Sequence, residues 1–412
     1  MKCAWLGCVL WSSLLLAGSP EQEINVNTRY TVESVELSGD QTEVSTGLSS
    51  ELKRLVGEKL NPAALDDLGR RIRRELHVRS VTHRVLRGRI PEHVKVVFDV
   101  KGVPAKFEVA IPKFLYRTEG GVTGAVEGTA TKGSQSVTLG AVSDGDELAE
   151  RYTGLIARYE DKRVGNDRVR FRFQFESYHE QWNRSSTDVL SSSAGDDVPG
   201  IYRTRMNFEP VATFVLARPL TLSVGTSFER FETQFPAART ESANAMVTTL
   251  RYHRRLEGSD ANQQEWDAGY SLRAATSLLG SDFGYARHKG EVHYTVSWGR
   301  SAIQDDLLTG MITGRAPLFE RFVLGNASTL RGWNKFDLDP LGGSRVVHNS
   351  LEYRYGPIDV FYDSGAVWDQ GQTAVFRHSL GVGVRRNGLC VALAFPVREG
   401  HIEPIFMVGM NY

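Results

Sequence analysis

RFVLGNASTLRGW, residues 321–333, is the stretch on which the interpretation of this chain depends. Its two separate glycines and small polar residues are typical of a loop, because glycine adopts backbone turns that other residues resist. It also holds one arginine, Arg331, which needs an acidic partner if it is enclosed. Two strand-like runs that follow supply candidates, Glu352 in NSLEYRY and Asp363 in DVFYDSGAVW. Since a guanidinium binds carboxylates through a planar fork, the sequence predicts an anchored loop.

Four motifs in chain order, RFVLG, LRGW, SLEYRY and FYDSGAVW, resemble the end of the BamA/TamA-like outer-membrane assembly superfamily, also called bacterial surface antigens. The resemblance covers residues 318–412. It implies a transmembrane β-barrel of about sixteen antiparallel strands. It also implies an extracellular loop whose Arg-Gly-aromatic motif folds back to acidic residues on the inner wall. By position, the loop-anchor motif and its lumen partners are Leu330, Arg331, Gly332, Trp333, Glu352 and Asp363. Leucine stands before the arginine where Val or Ile is usual, and Trp stands where Phe or Tyr is usual.

Hydrophobic alternation independently predicts strands throughout residues 106–412. In residues 168–176, valine and phenylalanine alternate with charged and amide residues, and residues 220–228 and 291–298 repeat the pattern. A strand between lipid and a wet lumen has this composition. Because lipid cannot satisfy unpaired strand edges, the strands are expected to close into a barrel. No amphipathic helix is expected in this region, and the polar connections 185–200 and 258–265 are predicted to be longer extracellular loops.

The last strand is predicted to place alternate residues on one face of the barrel. These residues are Phe406, Val408, Met410 and Tyr412. A terminal aromatic residue resembles the C-terminal signal of bacterial outer-membrane proteins, in which Phe is usual and Tyr is a milder variant.

Residues 1–19 are predicted to be a secretory signal peptide, since Lys2 precedes a short apolar run and Ala17-Gly18-Ser19 offers small residues for cleavage. The run is too short to favour the alternative, a membrane-spanning anchor. Export would leave Cys390 as the single cysteine, with no disulfide framework and no thiol metal cluster. Cys390 is expected to be a packed or lipid-facing small residue.

Residues 24–103 have a mixed pattern that predicts the order β-α-α-β-β. This is the order of a POTRA domain, and its position before a barrel matches the resemblance. Such domains are implied to bind extended client chains by adding them to an exposed strand edge. The expected client-binding edge is the strand 81–86, represented by Val81 and Val85. The alternative is a domain that serves only as a plug or spacer.

The sequence offers no sign of catalysis. Its histidines lack ligand spacing, the glycines at 381 and 383 precede no helix, and no GxSxG elbow is present, so we expect no enzyme, no cofactor and no metal. Equal numbers of basic and acidic residues, 49 of each, argue against nucleic-acid binding.

The expected function is to assist insertion of barrel proteins into, or translocation of proteins across, the outer membrane of a Gram-negative-type bacterium, with the N-terminal domain in the periplasm. The expected partners are membrane lipid, unfolded or extended client polypeptides, and helper proteins of unknown identity. Three alternatives stay open: a translocator dedicated to one exoprotein, a passive or structural barrel, and a soluble periplasmic binding protein.

Overall fold

The computed structural model describes residues 29–39, 44–102, 104–110, 112–192, 201–235, 237–257, 262–398 and 403–410. The predicted signal peptide and Tyr412 lie outside these residues. The chain divides between Ala105 and Lys106 into two compact units.

The first unit has the predicted order β-α-α-β-β. Its elements are β1 (Thr31–Gly39), α1 (Thr46–Arg54), α2 (Pro62–Leu76), β2 (Ser80–Arg87) and β3 (His93–Lys101). Asn61 caps α2, since its side-chain oxygen accepts hydrogen bonds from the Ala63 and Ala64 amides. In the three-stranded sheet, β3 lies between β1, which is parallel to it, and β2, which is antiparallel.

A register irregularity explains how β1 packs its apolar residues. Val32 and Val35 differ by an odd number, so a regular strand would place them on opposite faces. The register shifts between Val32 and Ser34, and both valines contact the core that the two helices cover. A β-bulge between the two valines therefore lets both side chains point to the same face of the sheet, where the core lies.

The second unit is a closed antiparallel β-barrel. Its strand segments are β4 (Lys106–Val109), β5 (Lys113–Arg117), β6 (Gly121–Lys132), β7 (Gln135–Asp144), β8 (Arg151–Asp161), β9 (Val169–Gln181), β10 (Ile201–Ala217), β11 (Leu220–Phe235), β12 (Arg239–Ser242), β13 (Ala245–Glu257), β14 (Gln263–Ala275), β15 (Gly284–Trp298), β16 (Ser301–Arg315), β17 (Arg345–Tyr355), β18 (Ile358–Trp368), β19 (Arg377–Arg386), β20 (Leu389–Pro396) and β21 (Ile405–Met410).

Two of the barrel strands are interrupted. Both β4 and β5 pair with β6, and both β12 and β13 pair with β11, so each couple forms one strand in two pieces. Counted in this way, the segments of the described residues make sixteen strands, which confirms the predicted fold class.

The predicted alternation is also confirmed. Phe171, Phe173 and Phe175 of β9 are exposed on the outer wall, whereas Arg172 of the same strand forms an ion pair with Glu209 inside. Of the two positions expected for Cys390, packed or lipid-facing, the structure excludes the second: Cys390 is half-buried on the inner wall, where it and its cross-strand partner Arg385 line the same lumen cavity. The cysteine therefore does not face lipid.

The hairpin topology corrects the prediction for the connections. Short links such as 218–219, 299–300 and 387–388 define one end of the barrel, called here the turn end, and the opposite end is called the loop end. Successive antiparallel strands alternate between the two ends. Connection 182–200 therefore lies at the loop end and connection 258–262 at the turn end, so the two cannot both be extracellular.

Helices are also present in the barrel unit, contrary to expectation. Two of them are α3 (Arg184–Ser192) and the short α4 (Lys335–Leu338), and both occur in loop-end connections. Leu190 of α3 is buried against residues of the long connection between β16 and β17, and Ser186 donates a hydrogen bond to the Pro340 carbonyl. Because these packing partners are distant in the chain, the local sequence does not reveal the contacts that stabilise α3. None of the helices in the described residues has the length and apolarity needed to cross a membrane.

Candidate functional site

The long connection between β16 and β17, residues 316–344, folds into the barrel. Its apolar residues join wall residues such as Tyr202 and Phe231 in one buried cluster at the loop end. Leu330 of the predicted motif is fully buried there, and Trp333 is nearly so. The lumen at this end is therefore packed like a protein core.

Arg331 reaches the inner wall with its whole guanidinium. Its Nε and Nη2 donate to the two carboxylate oxygens of Asp363 at 2.9 and 2.8 Å, and its backbone amide donates to the same group at 3.1 Å. Nη1 donates to Glu352 at 3.2 Å, and Nη2 also donates to the Ser350 hydroxyl at 2.9 Å. The structure thus brings the loop arginine to both acids named from the sequence.

Strand register sets the positions of these wall groups. Ser350, Asp363 and Ser379 are cross-strand partners on β17, β18 and β19, and Glu352 and Phe361 form the next row. Because side chains two residues apart share a face, the two rows line the lumen together. The Ser350 hydroxyl donates to Asp363 at 2.7 Å, which orients the carboxylate toward Arg331.

The residues that follow the arginine hold the loop close to β19. A Cβ atom at Gly332 would lie 2.6 Å from the Ser379 Cβ, so this position has room only for glycine. The Trp333 indole nitrogen donates to the His378 carbonyl at 2.8 Å. The Arg-Gly-Trp motif is therefore attached through charge, close approach and an indole hydrogen bond.

A second attachment was not predicted from the sequence. Arg117 of β5 and Asp146 of the β7–β8 connection are both 2% exposed and form an ion pair at 2.7 Å, and both also bind loop backbone. Lys335 of the loop donates to the carbonyls of Gly145 and Leu148. In the sequence, Arg117 is only one charged residue in an alternating run, so no local pattern marks it.

A third attachment of the loop lies on the wall formed by β14 and β15. Glu320 of the loop forms ion pairs with Arg273 at 3.0 Å and Arg287 at 3.5 Å, and it accepts a hydrogen bond from the Tyr285 hydroxyl. Phe319 packs edge-on against the rings of Tyr202 and Phe231. The loop is therefore held on three sides of the lumen, of which the sequence identified one.

A cavity of about 840 Å³ lies between the loop and the turn end of the barrel. Its roof includes Ala327, Ser328 and Arg331, and its walls carry charged residues such as Asp306 and Arg385. In the described residues, no group of three or more His, Cys, Asp or Glu side chains is arranged to hold a metal ion. The lining of this cavity therefore combines charged and apolar side chains.

The barrel closes at a short seam. Among the described residues, β5 and β21 share four residue pairs, and Thr118 adds a hydrogen bond from its amide to the Phe406 carbonyl at 3.1 Å, whereas β15 and β16 share fifteen pairs. In the described residues, β4 pairs with β6 on one side only, and its Phe107 and Val109 are 72% and 61% exposed. Within the part of the chain that the structure describes, the seam is thus the shortest pairing between neighbouring strands of the wall, and it is adjoined by β4, whose residue pairs there are with β6 alone.

The remaining predicted residues lie in two places. Phe406, Val408 and Met410 alternate with the buried Ile405 and Met407 along β21, on its outer face. Val81 and Val85 belong to β2, which is an edge strand, but their side chains pack toward the domain core. Only the backbone of that edge is available for pairing.

Comparison with protein families finds a match to the Omp85 superfamily domain over residues 126–388, more than half of the chain. Comparison with curated protein sequences finds no match. Among solved structures, BamA from Haemophilus ducreyi lacking POTRA domains 1-3 matches with a TM-score of 0.64 and 15% identity, covering 94% of this chain and 85% of that one. At this identity the likeness concerns the fold.

Two further solved structures give lower scores. CdiB from Acinetobacter baumannii matches with a TM-score of 0.49 and 12% identity, covering 93% of this chain and 74% of that one. CdiB from Escherichia coli matches with a TM-score of 0.47 and 10% identity, covering 93% and 76%. No argument is based on these two.

Proposed function

The chain belongs to the Omp85 superfamily, and on that premise we propose that it inserts client β-barrel proteins into the outer membrane of a Gram-negative-type bacterium. In this proposal the N-terminal unit is a POTRA-like domain in the periplasm, spanning residues 24–103, and residues 106–412 are the barrel. Residues 1–19 direct export and are then removed. The chain works without a cofactor and without catalytic chemistry.

The observation that carries the proposal is the seam between β5 and β21. Among the described residues the seam has four residue pairs and the β15–β16 junction has fifteen, and a shorter ladder opens at lower cost because it holds fewer backbone hydrogen bonds. Within those residues, β4 beside the seam has residue pairs with β6 alone, so its other edge is the proposed acceptor of a client strand. A client strand would add to this edge and leave sideways into lipid.

The packed loop end favours sideways release over a passive pore. Leu330, Trp333 and their apolar neighbours occupy the lumen that ions or a threaded chain would have to cross. In the proposed mechanism, Arg331 holds this loop to Glu352 and Asp363 and keeps the wall in a competent arrangement.

Strand β2 of the N-terminal unit is the proposed first contact for clients. The start of the outer edge of β1 is already used, since Val32 exchanges hydrogen bonds with Gly57 and Glu58 at 2.8 and 2.9 Å. Strand β2 is paired only with β3 among the described residues. An extended client would bind its backbone without demanding one sequence.

The test is depletion of the protein followed by quantitative proteomics of the outer membrane and the medium. We expect many barrel proteins to decline together. Loss of a single secreted protein would instead support a translocator dedicated to one exoprotein. No change in either fraction would overturn client handling and support a structural barrel.

A further inference from the structure

We propose that residues 325–335 form a clasp across the seam, and that Arg117 is the positioning residue that holds this clasp to the β5 side. The inference rests on the proposed function only in treating the seam as the exit for clients. Its physical content, that the loop controls opening between β5 and β21, is separate from any client.

Arg117 binds the base of the clasp. Its Nη1 donates to the Gly325 carbonyl at 3.0 Å and its Nη2 donates to the Trp333 carbonyl at 3.1 Å. The two ends of the segment touch, because a Cβ at Gly325 would lie 2.8 Å from the Lys335 amide nitrogen. One guanidinium therefore joins both ends of the clasp to a barrel strand.

Asp146 completes this attachment. Its carboxylate accepts from Arg117 at 2.7 Å and from the Ala327 amide at 2.9 Å. Arg117 is also the seam partner of Met407. The attachment thus lies at the seam itself, on its loop-end side.

The other end of the clasp is fixed beyond the seam. Arg331 binds Asp363 of β18, and the Trp333 indole binds the His378 carbonyl of β19. Between these attachments, Ala327 packs against an apolar cluster on the inner faces of β18, β20 and β21, which consists of Phe361, Ala392, Ala394, Ile405 and Met407. The segment therefore spans β20, β21 and the seam, and a separation of β5 from β21 would stretch it.

Amide hydrogen exchange of the full chain in lipid nanodiscs tests this inference. Loss of charge-assisted hydrogen bonds shifts a local opening equilibrium by roughly tenfold or more. We expect Arg117→Lys, which keeps the charge but not the fork, to speed exchange in residues 113–118 and 405–410 by about tenfold. Exchange in β15 and β16 should not change. Arg251→Lys is the matched control, since Arg251 pairs with Asp267 on the inner wall away from the loop.

Arg331→Lys separates a clasp from a local defect of β5, because the Arg331 side chain touches neither seam strand. We expect Arg331→Lys to speed amide exchange at the seam as well. The combination of Arg117→Lys with Arg331→Lys should exchange little faster than either single variant. If Arg117→Lys fails to fold, Asp146→Asn gives the same test. Unchanged seam exchange in the folded variants, or equal acceleration throughout the barrel, would overturn the clasp.

A covalent bridge should reverse the effect. The Asn334 amide donates to Glu119 at 3.1 Å, on the link between β5 and β6. Glu119→Cys and Asn334→Cys, joined by a short bis-maleimide in a Cys390→Ser background, should restore slow seam exchange to Arg117→Lys. Failure of this rescue would count against the clasp. If the bridged variant shows slow seam exchange and still assembles clients normally in cells depleted of the wild-type protein, the clasp stands and the seam is not the exit route for clients.

Discussion

Arg331 lies directly over the ring of Phe361, with the guanidinium carbon 3.4 Å from the ring centre. Phe361 is 1% exposed, and the Cζ end of its ring covers Gly381 of the neighbouring strand. The loop cation, the aromatic ring and the glycine therefore form one stack on the inner wall, which combines cation–π attraction with the ion pairs to Asp363 and Glu352.

Gly381→Ala is expected to weaken the attachment of Arg331 to the inner wall without removing a charge. A Cβ at this position would lie 1.9 Å from the Phe361 ring, so the ring must leave its present position under Arg331. We expect a loss of about 1–3 kcal/mol in the free energy of unfolding, measured by urea titration, together with faster proteolysis of the loop. Gly269→Ala is the control, because nothing lies within 4 Å of its Cβ. Equal effects of the two substitutions would contradict the stack.

Arg331→Ala is expected to destabilise the barrel by about 3 kcal/mol, because Asp363 is fully buried and would keep the backbone amide of residue 331 and two serine hydroxyls as partners but no cation. Adding Asp363→Asn should recover part of this loss, since an amide does not require a cation. A double-mutant cycle by urea titration measures the coupling. The chain should still be exported, while client assembly and loop protection decline. Strictly additive losses would show that the pair does not act as a unit.

Deletion of residues 326–334 is expected to open a conducting path. Gly325 and Lys335 already approach each other, so a short link can replace the segment without moving β16 or β17. Removing Leu330 and Trp333 takes away part of the apolar packing at the loop end. Planar-bilayer recordings should show closed wild-type protein and steady currents from the deletion variant. Large steady currents from the wild type would favour the passive pore.

Docking of the loop is expected to strengthen as the pH rises from about 8. Burial lowers the pKa of Lys335 from its ordinary 10.5 to about 8. Between these values the released loop keeps a proton that the docked loop has lost, so rising pH favours docking by up to about 3 kcal/mol. Loop proteolysis should therefore slow between pH 8 and 10, after correction for protease activity. Lys335→Met should remove this dependence, and an unchanged slope in that variant would refute the assignment.

Proline scanning of β2 tests the client-binding edge. Adjacent residues of a strand point their amides to opposite sides, so one of Thr82→Pro and His83→Pro removes an amide from the free edge and the other from the ladder with β3. The variant that keeps the thermal stability of the domain should lose binding to an extended client peptide. Normal binding by both folded variants would leave the domain as a spacer.

The sequence by itself determined the element order of the first unit, the strands of the barrel, and the pattern of the inner and outer walls, but not the helices in the loop-end connections. Alternation of phenylalanine with charged residues fixes which side of β9 faces lipid, and the loop motif with its two acids predicts the contacts of Arg331. These signals are readable because they repeat over a few neighbouring residues or match a motif.

Only the tertiary structure decided where the loop attaches elsewhere and how the wall closes. Arg117 and Asp146 meet loop backbone from more than 150 positions away, and Glu320 meets arginines of β14 and β15. The strand order of the folded sheet likewise decides that connection 182–200 lies at the loop end of the barrel and connection 258–262 at the turn end. A buried guanidinium is satisfied by whichever acceptors the closed barrel brings near it, and backbone carbonyls, which every residue carries, leave no mark in a sequence.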